Sequence, residues 1–414
     1  MTPVDTLAYT AALRVLSRSV DTDLHAALLA ALEPLGGSDP VVYLADFSHR
    51  TLIPVPRTDQ ARTASAQQPP DEDIASTMAG RAFIRREPVT ADRDDGVRLW
   101  VPLVEGTMRT GVLAVTLPAV DAELLECIEM LGVFAGLALA ATAPLSDLSH
   151  LRRRGRTMSL AATMQWGLMP PLSAATERAA IAGVLEPAYD IAGDGFDYAI
   201  NADAIEFAIL DGMGHGVASS MLTGLAIGAY RHARRERSTL QEMHTAIEQA
   251  LFSQYDGDAF ATGIIGRLST ATGELDWSCA GHPAPLLLRD RRVIAELECE
   301  PVLPFGLGDP GPIATGLHVL EPGDAVLLYT DGVVEARTPA GEEFGLDRLI
   351  DLFEREAASG QGGEELLRRV VRAVLDYQVD ELRDDATMML VEWSGASDSL
   401  DSDIPVQRPE MANN

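Results

Sequence analysis

Lysine is absent from this chain of 414 residues, because all 32 of its basic residues are arginine. A Walker-type phosphate loop needs the lysine of its Gly-Lys-Ser/Thr ending, protein kinases need a strand lysine, and Schiff-base enzymes need a lysine amine. The missing residue therefore argues against most nucleotide-hydrolysing enzymes, against kinases and against Schiff-base catalysts.

Cysteine and paired histidine are also scarce. The three cysteines, Cys127, Cys279 and Cys299, show no Cys-x-x-Cys spacing, and none has an arginine six positions later, as a cysteine-based phosphatase loop requires. The eight histidines include no His-x-x-x-His pair. Zinc favours thiolate and imidazole ligands, so the sequence disfavours both a zinc site and cysteine catalysis.

Acidic residues greatly outnumber basic ones. The chain has 62 acidic residues, which leave a formal net charge of −30. Nucleic acids and anionic membranes reward basic surfaces, so we expect neither as a partner. The chain shows no charged-then-apolar leader and no uninterrupted apolar run of about 18 residues, so we expect no membrane insertion. The longest uncharged run, residues 130–146, predicts a buried helix. With few cysteines, these features predict a reduced, cytoplasmic location.

What the chain does have is a set of aspartates at the ends of apolar segments. The alternating segment 205–210 predicts a strand that runs into Asp211-Gly212. A second apolar strand, launched by the Pro-Gly turn at 322–323, ends on Asp331-Gly332 in the same way. Two strands therefore deliver a carboxylate at their ends.

Further aspartates come from separate segments. Asp384 and Asp385 precede the apolar strand 388–391, and Asp194 lies in a turn flanked by glycines. Carboxylate and carbonyl oxygens suit Mg²⁺ and Mn²⁺, which are hard cations that keep several waters. Any single Asp-Gly is an ordinary turn, but the whole set predicts a two-metal hydrolytic centre.

The ordered motifs resemble those of the SpoIIE-like (RsbU-type) serine phosphatases, a bacterial branch of the PPM metal-dependent protein phosphatases. The resemblance covers roughly residues 160–393. The motifs that carry it are Ala192-Gly193-Asp194-Gly195-Phe196-Asp197, Asp211-Gly212-Met213-Gly214-His215-Gly216, Ala280-Gly281-His282-Pro283-Ala284-Pro285, Tyr329-Thr330-Asp331-Gly332 and Asp384-Asp385-Ala386-Thr387. The first departs from the family's usual Gly-Gly-Asp-Phe-Tyr-Asp but keeps the acid.

The resemblance implies a metal-binding role for each aspartate. Asp211 would bridge two Mn²⁺ or Mg²⁺ ions and the Gly212 carbonyl would bind one of them, while Asp331 and Asp384 would hold the other with help from Asp194. Asp385 could replace Asp384 as the ligand. The implied fold is α+β, an α-β-β-α sandwich of two antiparallel sheets flanked by helices, over residues 172–393.

The amino-terminal part, residues 1–145, predicts a separate α+β domain. A helix over 23–35 ends at Gly36-Gly37, strands follow at 41–46, 99–104 and 111–116, and a long helix spans 122–143. This order resembles a GAF sensor domain, although an unrelated α+β cap stays open. No residue indicates a haem or bilin ligand, and a dimerising domain without ligand fits equally well.

A linker helix is predicted over 146–171, with the arginines at 152–154 as a solvated helix face and Pro170 at its end. We expect the linker to transmit the state of the sensor to the catalytic domain, with a homodimer formed through the GAF-like domain and the linker. The polar, acidic segment 394–414 is predicted to be a disordered tail.

The implied function is a Mn²⁺- or Mg²⁺-dependent protein serine/threonine phosphatase in which a metal-activated water attacks phosphorus. The resemblance implies a phosphorylated anti-sigma-factor antagonist of the STAS type as substrate. One alternative is a catalytically silent partner-switching scaffold with the same fold. Another is a dinucleotide loop at 212–216, although its third glycine falls one residue early. His215 fits either a catalytic acid or a loop residue, and His282 fits a structural residue.

Overall fold

The computed structural model describes residues 24–55, 69–105, 108–143, 147–190, 193–300, 302–378 and 384–395. Within these ranges the chain forms three antiparallel sheets, of six, five and six strands. The first sheet belongs to the amino-terminal part of the chain, and the other two belong to the carboxy-terminal part. The predicted tail lies outside the described residues from position 396 onwards.

The amino-terminal domain is one sheet covered on both faces by helices. Its sheet runs in the order β3-β2-β1-β6-β5-β4. One face packs on the first and third helices of the domain, and the other face packs on the second. The elements are α1 (Leu24–Leu32), a 3-10 turn (Glu33–Leu35), β1 (Ser38–Ala45), β2 (Thr51–Pro54), β3 (Glu72–Asp73), α2 (Met78–Arg85), β4 (Val89–Arg93), β5 (Gly96–Glu105), β6 (Met108–Leu117) and α3 (Ala122–Thr142). The predicted helices and strands therefore form, within three residues of their expected bounds.

The long helix α3 has one buried face and one exposed face, although apolar residues occur on both. Asp121 caps it by accepting a hydrogen bond from the Leu124 N–H at 2.8 Å. Leu131 and Ala135 pack into the domain core, whereas Met130 is 47% exposed. The prediction of a buried helix therefore holds for one face only. The stretch Ala122–Ala141 also has the length and apolar composition of a membrane span, a weak sign that core helices share.

The linker is not the single helix that the sequence predicts. It forms two short helices, α4 (Asp147–Arg152) and α5 (Leu160–Trp166), separated by an irregular stretch. The break arises because Arg153 turns inward, where its Nε donates to the Ala45 carbonyl at 3.0 Å and its guanidinium lies 4.7 Å from the centre of the Phe47 ring. Arg153 is therefore no solvated helix-face residue, and the chain restarts as a helix at the Ser159 cap.

The carboxy-terminal domain stacks two antiparallel sheets face to face. The first has the order β15-β12-β11-β10-β9 and the second the order β14-β13-β16-β17-β8-β7. Its strands are β7 (Ser173–Ala175), β8 (Ala179–Glu186), β9 (Asp194–Ile200), β10 (Ala204–Gly212), β11 (Ala261–Ser269), β12 (Glu274–Ala280), β13 (Leu286–Arg289), β14 (Arg292–Glu296), β15 (Gly316–Val319), β16 (Ala325–Tyr329) and β17 (Ala386–Trp393). Phe207 and Ile209 on one sheet share a buried core with Leu328 and Met389 on the other.

Helices cover the outer faces of both sheets. Two pack on the β10 and β11 side, and two others pack on the β16 and β17 side. The helices are α6 (Val217–Arg235), α7 (Leu240–Tyr255), α8 (Asp331–Val334), α9 (Leu346–Ala357) and α10 (Gly363–Gln378). Strand β10 is buried on both faces because Ala208 and Leu210 meet helices while Phe207 and Ile209 meet the other sheet. The predicted α-β-β-α sandwich of two antiparallel sheets is confirmed.

Candidate metal centre

Asp194 and Asp211 lie directly opposite each other on neighbouring strands. They are Cα partners in the antiparallel register of β9 and β10. Directly opposed residues in such a pair place their side chains on the same face of the sheet. Asp194 was predicted to lie in a turn, but it begins strand β9, and its side chain is buried. Asp194 therefore lies closer to Asp211 than a position in a turn would place it.

The loop after Asp211 is held by hydroxyl groups of helix α6. Ser219 Oγ donates to the Gly212 carbonyl at 2.7 Å, and the Gly212 N–H donates to the Gly193 carbonyl at 3.0 Å. Thr223 Oγ1 also donates to the Gly193 carbonyl. A Cβ on Gly212 would lie 2.4 Å from Thr223 Oγ1, so only glycine fits there. The Gly212 carbonyl keeps a second lone pair that could bind a cation.

Asp331 and the Asp384-Asp385 pair meet at the adjoining strands of the second sheet. Asp331 follows β16 as the first residue of α8, and Asp384 precedes β17, the neighbour of β16. A Cβ on Gly332 would lie 1.9 Å from the Asp385 carbonyl oxygen. The Asp-Gly sequence is therefore needed for the close approach of these two segments.

Asp385 fixes the backbone of Gly193 and Asp194 at the start of β9. Its Oδ2 accepts hydrogen bonds from the Gly193 N–H at 2.6 Å and from the Asp194 N–H at 3.2 Å. Those bonds join the segment before β17 to the segment that begins β9. Because one carboxylate oxygen of Asp385 already holds this backbone, Asp384 is the better candidate for a metal ligand.

The carboxylates raise one another's pKa. Burial, followed by the charges of Asp331, Asp384 and Asp385, raises the pKa of Asp211 to about 7. Burial and the charge of Asp211 raise the pKa of Asp194 well above its usual range, and burial and the charge of Asp384 raise that of Asp331. The aspartates of both sheets therefore lie within electrostatic reach of one another.

The donor set fits hard divalent cations in chemistry. Across the described ranges, no three His, Cys, Asp or Glu side chains are arranged so that one ion could contact all of them. The acids approach in pairs, one pair from each sheet. Mg²⁺ and Mn²⁺ are bound by one or two carboxylates with waters completing the shell, so paired acids beside a backbone carbonyl suit them. A positive charge at this position would also relieve the repulsion between these carboxylates.

The two histidines of the motifs have different surroundings. His215 is exposed in the loop after Gly214. His282 is buried, with its Nδ1 2.8 Å from Thr262 Oγ1, and burial lowers its pKa to about 3, so the ring is neutral. Thr262 is the Cα partner of Asp211 on β11. His282 thus supports the strand beside the acids, as expected for a structural residue.

Threonine 330 is a site residue that the sequence analysis missed. Thr330 Oγ1 donates to Asp194 Oδ2 at 2.7 Å and therefore links the two sheets at the acid cluster. Its position directly before Asp331 was the only available signal. Ser219 and Thr223 were missed for the same reason, because a hydroxyl residue in a helix reveals its partner only when the fold is known.

The dinucleotide interpretation of the glycine cluster is wrong. A dinucleotide loop of that kind joins a strand of a parallel sheet to a helix. Strand β10 is antiparallel to both of its neighbours, β9 and β11. Glycines at 214 and 216 have positive φ and open space around them, as an exposed loop allows.

Comparison with known proteins identifies the family of this domain. Residues 201–394 match the family model for Stage II sporulation protein E (SpoIIE). The chain is 23% identical over 241 residues to Phosphoserine phosphatase RsbU of Bacillus subtilis (strain 168), which covers 56% of this chain and 69% of that protein. It is 24% identical over 243 residues to Protein IcfG of Synechocystis sp., covering 51% of this chain and 37% of that protein.

Solved structures of related domains are also similar. The RsbU and RsbW domains of a Mycobacterium tuberculosis protein share 25% identity, with a TM-score of 0.45, over 53% of this chain and 62% of that one. The SiaA-PP2C domain of Pseudomonas aeruginosa shares 21% identity, with a TM-score of 0.47, over 56% of this chain and 94% of that one. The family match includes Asp211, Asp331 and Asp384, and Asp194 lies just before it. Residues 201–394 of this chain therefore match the SpoIIE family model, and three of the four candidate metal-binding aspartates lie inside the matched region.

Proposed function

We propose that this protein is a protein serine/threonine phosphatase that uses two Mn²⁺ or Mg²⁺ ions. One observation carries the proposal: aspartates from two different sheets, of which Asp194 is buried and Asp211 half-buried, meet at one end of the sandwich, where burial and the charges of neighbouring aspartates raise the pKa of both. Proteins rarely gather like charges in this way unless a function requires it. The match to the SpoIIE family and the similarity to a named phosphoserine phosphatase support the same activity.

Each acid has a role in this proposal. Asp211 would be shared by the two ions, and the Gly212 carbonyl would help to hold one of them. Asp331 and Asp384 would hold the other ion, and Asp194 would assist through a water. Asp385 stays with the Gly193 and Asp194 backbone, where its hydrogen bonds already place it.

The ions and the protein chain would contribute different parts of the proposed reaction. When bound, two divalent ions lower the pKa of a shared water, orient the phosphate and stabilise the charge of an in-line displacement. The chain positions the carboxylates through Thr330 and Ser219, and it leaves the loop after Gly212 open to solvent. No protein nucleophile is required. His215 is exposed beside the site, where a proton donor to the leaving group would stand.

The proposed substrate is a phosphoserine or phosphothreonine on a protein, specifically a phosphorylated anti-sigma-factor antagonist of the STAS type. Support comes from the similarity to RsbU, which is named as a phosphoserine phosphatase. Such a substrate would be met in the cytoplasm, which remains the predicted location.

The amino-terminal domain is proposed to be a GAF-like sensor that controls the phosphatase. Its six-stranded sheet, covered by helices on both faces, is compatible with that resemblance. We also propose a homodimer formed through this domain and the linker. Exposed apolar side chains on helix α3, Met130 at 47% and Leu137 at 44%, support a further packing partner there.

A phosphatase assay tests the proposed function. Hydrolysis of p-nitrophenyl phosphate should depend on Mn²⁺ and disappear in an Asp211→Ala variant. The assay should then be repeated with a phosphorylated STAS-type protein. Wild-type protein that binds Mn²⁺ but hydrolyses neither substrate would instead support the silent partner-switching scaffold.

A further inference from the structure

The turn between β1 and β2 of the amino-terminal domain is unusually buried for a connecting turn. Asp46 is 3% exposed and Phe47 is 6% exposed, although surface turns normally carry solvated side chains. We call residues 46–50 the docking turn. What buries them is the carboxy-terminal domain and the linker, so the turn is a contact between the two halves of the chain.

One arm of the docking turn contacts the segment just before the acid cluster. The Tyr189 hydroxyl donates to Asp46 Oδ2 at 2.9 Å. Phe47 shares a buried apolar cluster with Ala188 and Tyr189. Arg50 Nε lies 4.0 Å from a carboxylate oxygen of Glu186, whose other oxygen accepts the Ala188 N–H at 3.0 Å. The turn therefore contacts residues 186–189 through polar, apolar and charged groups.

The linker holds the same segment from another direction. Ser159 N–H donates to the Tyr189 carbonyl at 2.8 Å, and Trp166 Nε1 donates to the Ala188 carbonyl at 2.7 Å. The rings of Phe47 and Trp166 lie 4.9 Å apart. Removing Phe47 would loosen both the linker contact and the segment at 186–189.

The contacted segment leads within a few residues to the acid cluster. Gly193 follows Tyr189 by four positions, and its carbonyl and N–H bond to Thr223 and Asp385. Asp194 comes next and begins β9. Tyr189 therefore lies five positions before Asp194 in the chain, close to the segment that Thr223 and Asp385 hold.

A second arm of the docking turn reaches the other sheet. His49 Nδ1 lies 3.1 Å from Glu364 Oε1, and Arg109 Nη2 lies 2.6 Å from the same oxygen. Glu364 is buried in helix α10, which packs on β8 and β17. Strand β17 is the one that Asp384 and Asp385 precede. The turn thus contacts elements that support both groups of acids.

We propose that the docking turn is a direct coupling contact: by fixing residues 186–189, shortly before Asp194, it lets the amino-terminal domain set the affinity of the acid cluster for divalent cations. The metal part of this inference rests on the proposed function. The route differs from transmission along a linker helix, because it runs from the β1–β2 turn through Tyr189 to Asp194. Groups that orient metal ligands change metal affinity by about 10–100-fold when they are removed.

Local hydrogen exchange and Mn²⁺ binding test the coupling. Phe47→Ala removes the apolar contact, and Tyr189→Phe removes only the hydroxyl while keeping the ring. Val115→Ala is the matched control, since Val115 is buried in the amino-terminal domain on the α1 and α3 face of the sheet, away from the turn. We expect both docking variants to exchange faster at 186–194 in metal-free protein and to bind Mn²⁺ about tenfold more weakly by calorimetry.

Two results would overturn the coupling. One is wild-type exchange and Mn²⁺ affinity in both Phe47→Ala and Tyr189→Phe. The other is an equal effect of Val115→Ala, which would indicate general destabilisation. Failure of the phosphatase proposal would give a different result, because wild-type protein would then lack Mn²⁺-dependent hydrolysis. The hydrogen-exchange comparison needs neither metal nor turnover. It would still decide whether the turn fixes residues 186–194.

Discussion

Asp211 faces Asp194 across two neighbouring antiparallel strands, and burial together with the charge of Asp211 raises the pKa of Asp194 well above its usual range. Two adjacent ionised carboxylates repel, so without a cation the protonated form of one of them is favoured. The arrangement is unfavourable for the metal-free fold and becomes favourable when a divalent ion binds only the folded state.

Replacing Asp211 by asparagine should separate activity from stability. We expect Mn²⁺-dependent hydrolysis to fall by at least about 100-fold, because even groups behind the ligands cost about 10–100-fold. In EDTA the melting temperature should rise, since one of the repelling carboxylates is removed. Asp203→Asn, an exposed change before the same strand, is the control. Unchanged hydrolysis in Asp211→Asn would contradict the assignment.

Asp384 and Asp385 should differ when each is changed to asparagine. Asp384→Asn removes a charge from a proposed ligand, so the Mn²⁺ concentration for half-maximal hydrolysis should rise strongly. Asparagine at 385 keeps an oxygen that can accept the Gly193 N–H, so its effect should be smaller. A titration of activity against Mn²⁺ measures both. The reverse order would make Asp385 the ligand.

Gly332→Ala should be poorly tolerated. The new Cβ would lie 1.9 Å from the Asp385 carbonyl oxygen, so the segments carrying Asp331 and Asp385 must move apart. We expect a loss of about 2 kcal/mol or more in the free energy of unfolding, together with loss of activity. Gly362→Ala, where a Cβ meets nothing within 4 Å, is the matched control. Urea denaturation compares the two, and equal midpoints would refute the close approach.

The buried ion pair at Glu364 should make stability sensitive to acid. Burial alone would raise the pKa of Glu364, but the Arg109 charge and the His49 hydrogen bond outweigh it and lower the pKa well below its usual range. A lowered pKa stabilises the fold above the unfolded value of about 4.3, and this stabilisation is lost as the pH falls towards the folded value.

A Glu364→Gln variant provides the comparison. Near neutral pH it should be less stable by about 3–5 kcal/mol, the usual cost of removing one partner of a buried ion pair. The difference from wild type, measured by urea denaturation, should shrink steadily below about pH 4, where the unfolded wild-type chain takes up a proton that the variant cannot. A difference that stays constant down to pH 2 would show that the pairing contributes nothing through its charge.

The acids at strand ends could be predicted because periodicity reveals where a strand stops. Asp211 and Asp331 follow apolar runs, and both lie where expected. Asp194 was misassigned to a turn because glycines surround it. The strand forms there because Phe196 packs against Gly183, where a Cβ would lie 2.3 Å from the ring, and because β9 pairs along β10. Tertiary packing overrode local propensity.

The break in the linker could not be predicted from nearby residues. The helical pattern of the segment is interrupted because Arg153 bonds to Ala45, more than one hundred positions earlier in the chain. Thr330 and Asp385 were underestimated for a related reason, since their partners Asp194 and Gly193 belong to the other sheet. Sequence motifs indicated which acids matter, whereas the groups that hold them depend on contacts between distant segments.

Glu364 has two of its side-chain partners in the amino-terminal domain. Cutting the chain to isolate the carboxy-terminal domain would remove Arg109 and His49 and leave the buried carboxylate, among the described residues of that domain, with the Ser173 hydroxyl at 2.8 Å. Such a truncated protein would differ from the intact one in the stability of helix α10 as well as in any control that the proposed sensor exerts. A kinetic comparison of the two would therefore mix the loss of the proposed sensor with a less stable carboxy-terminal domain.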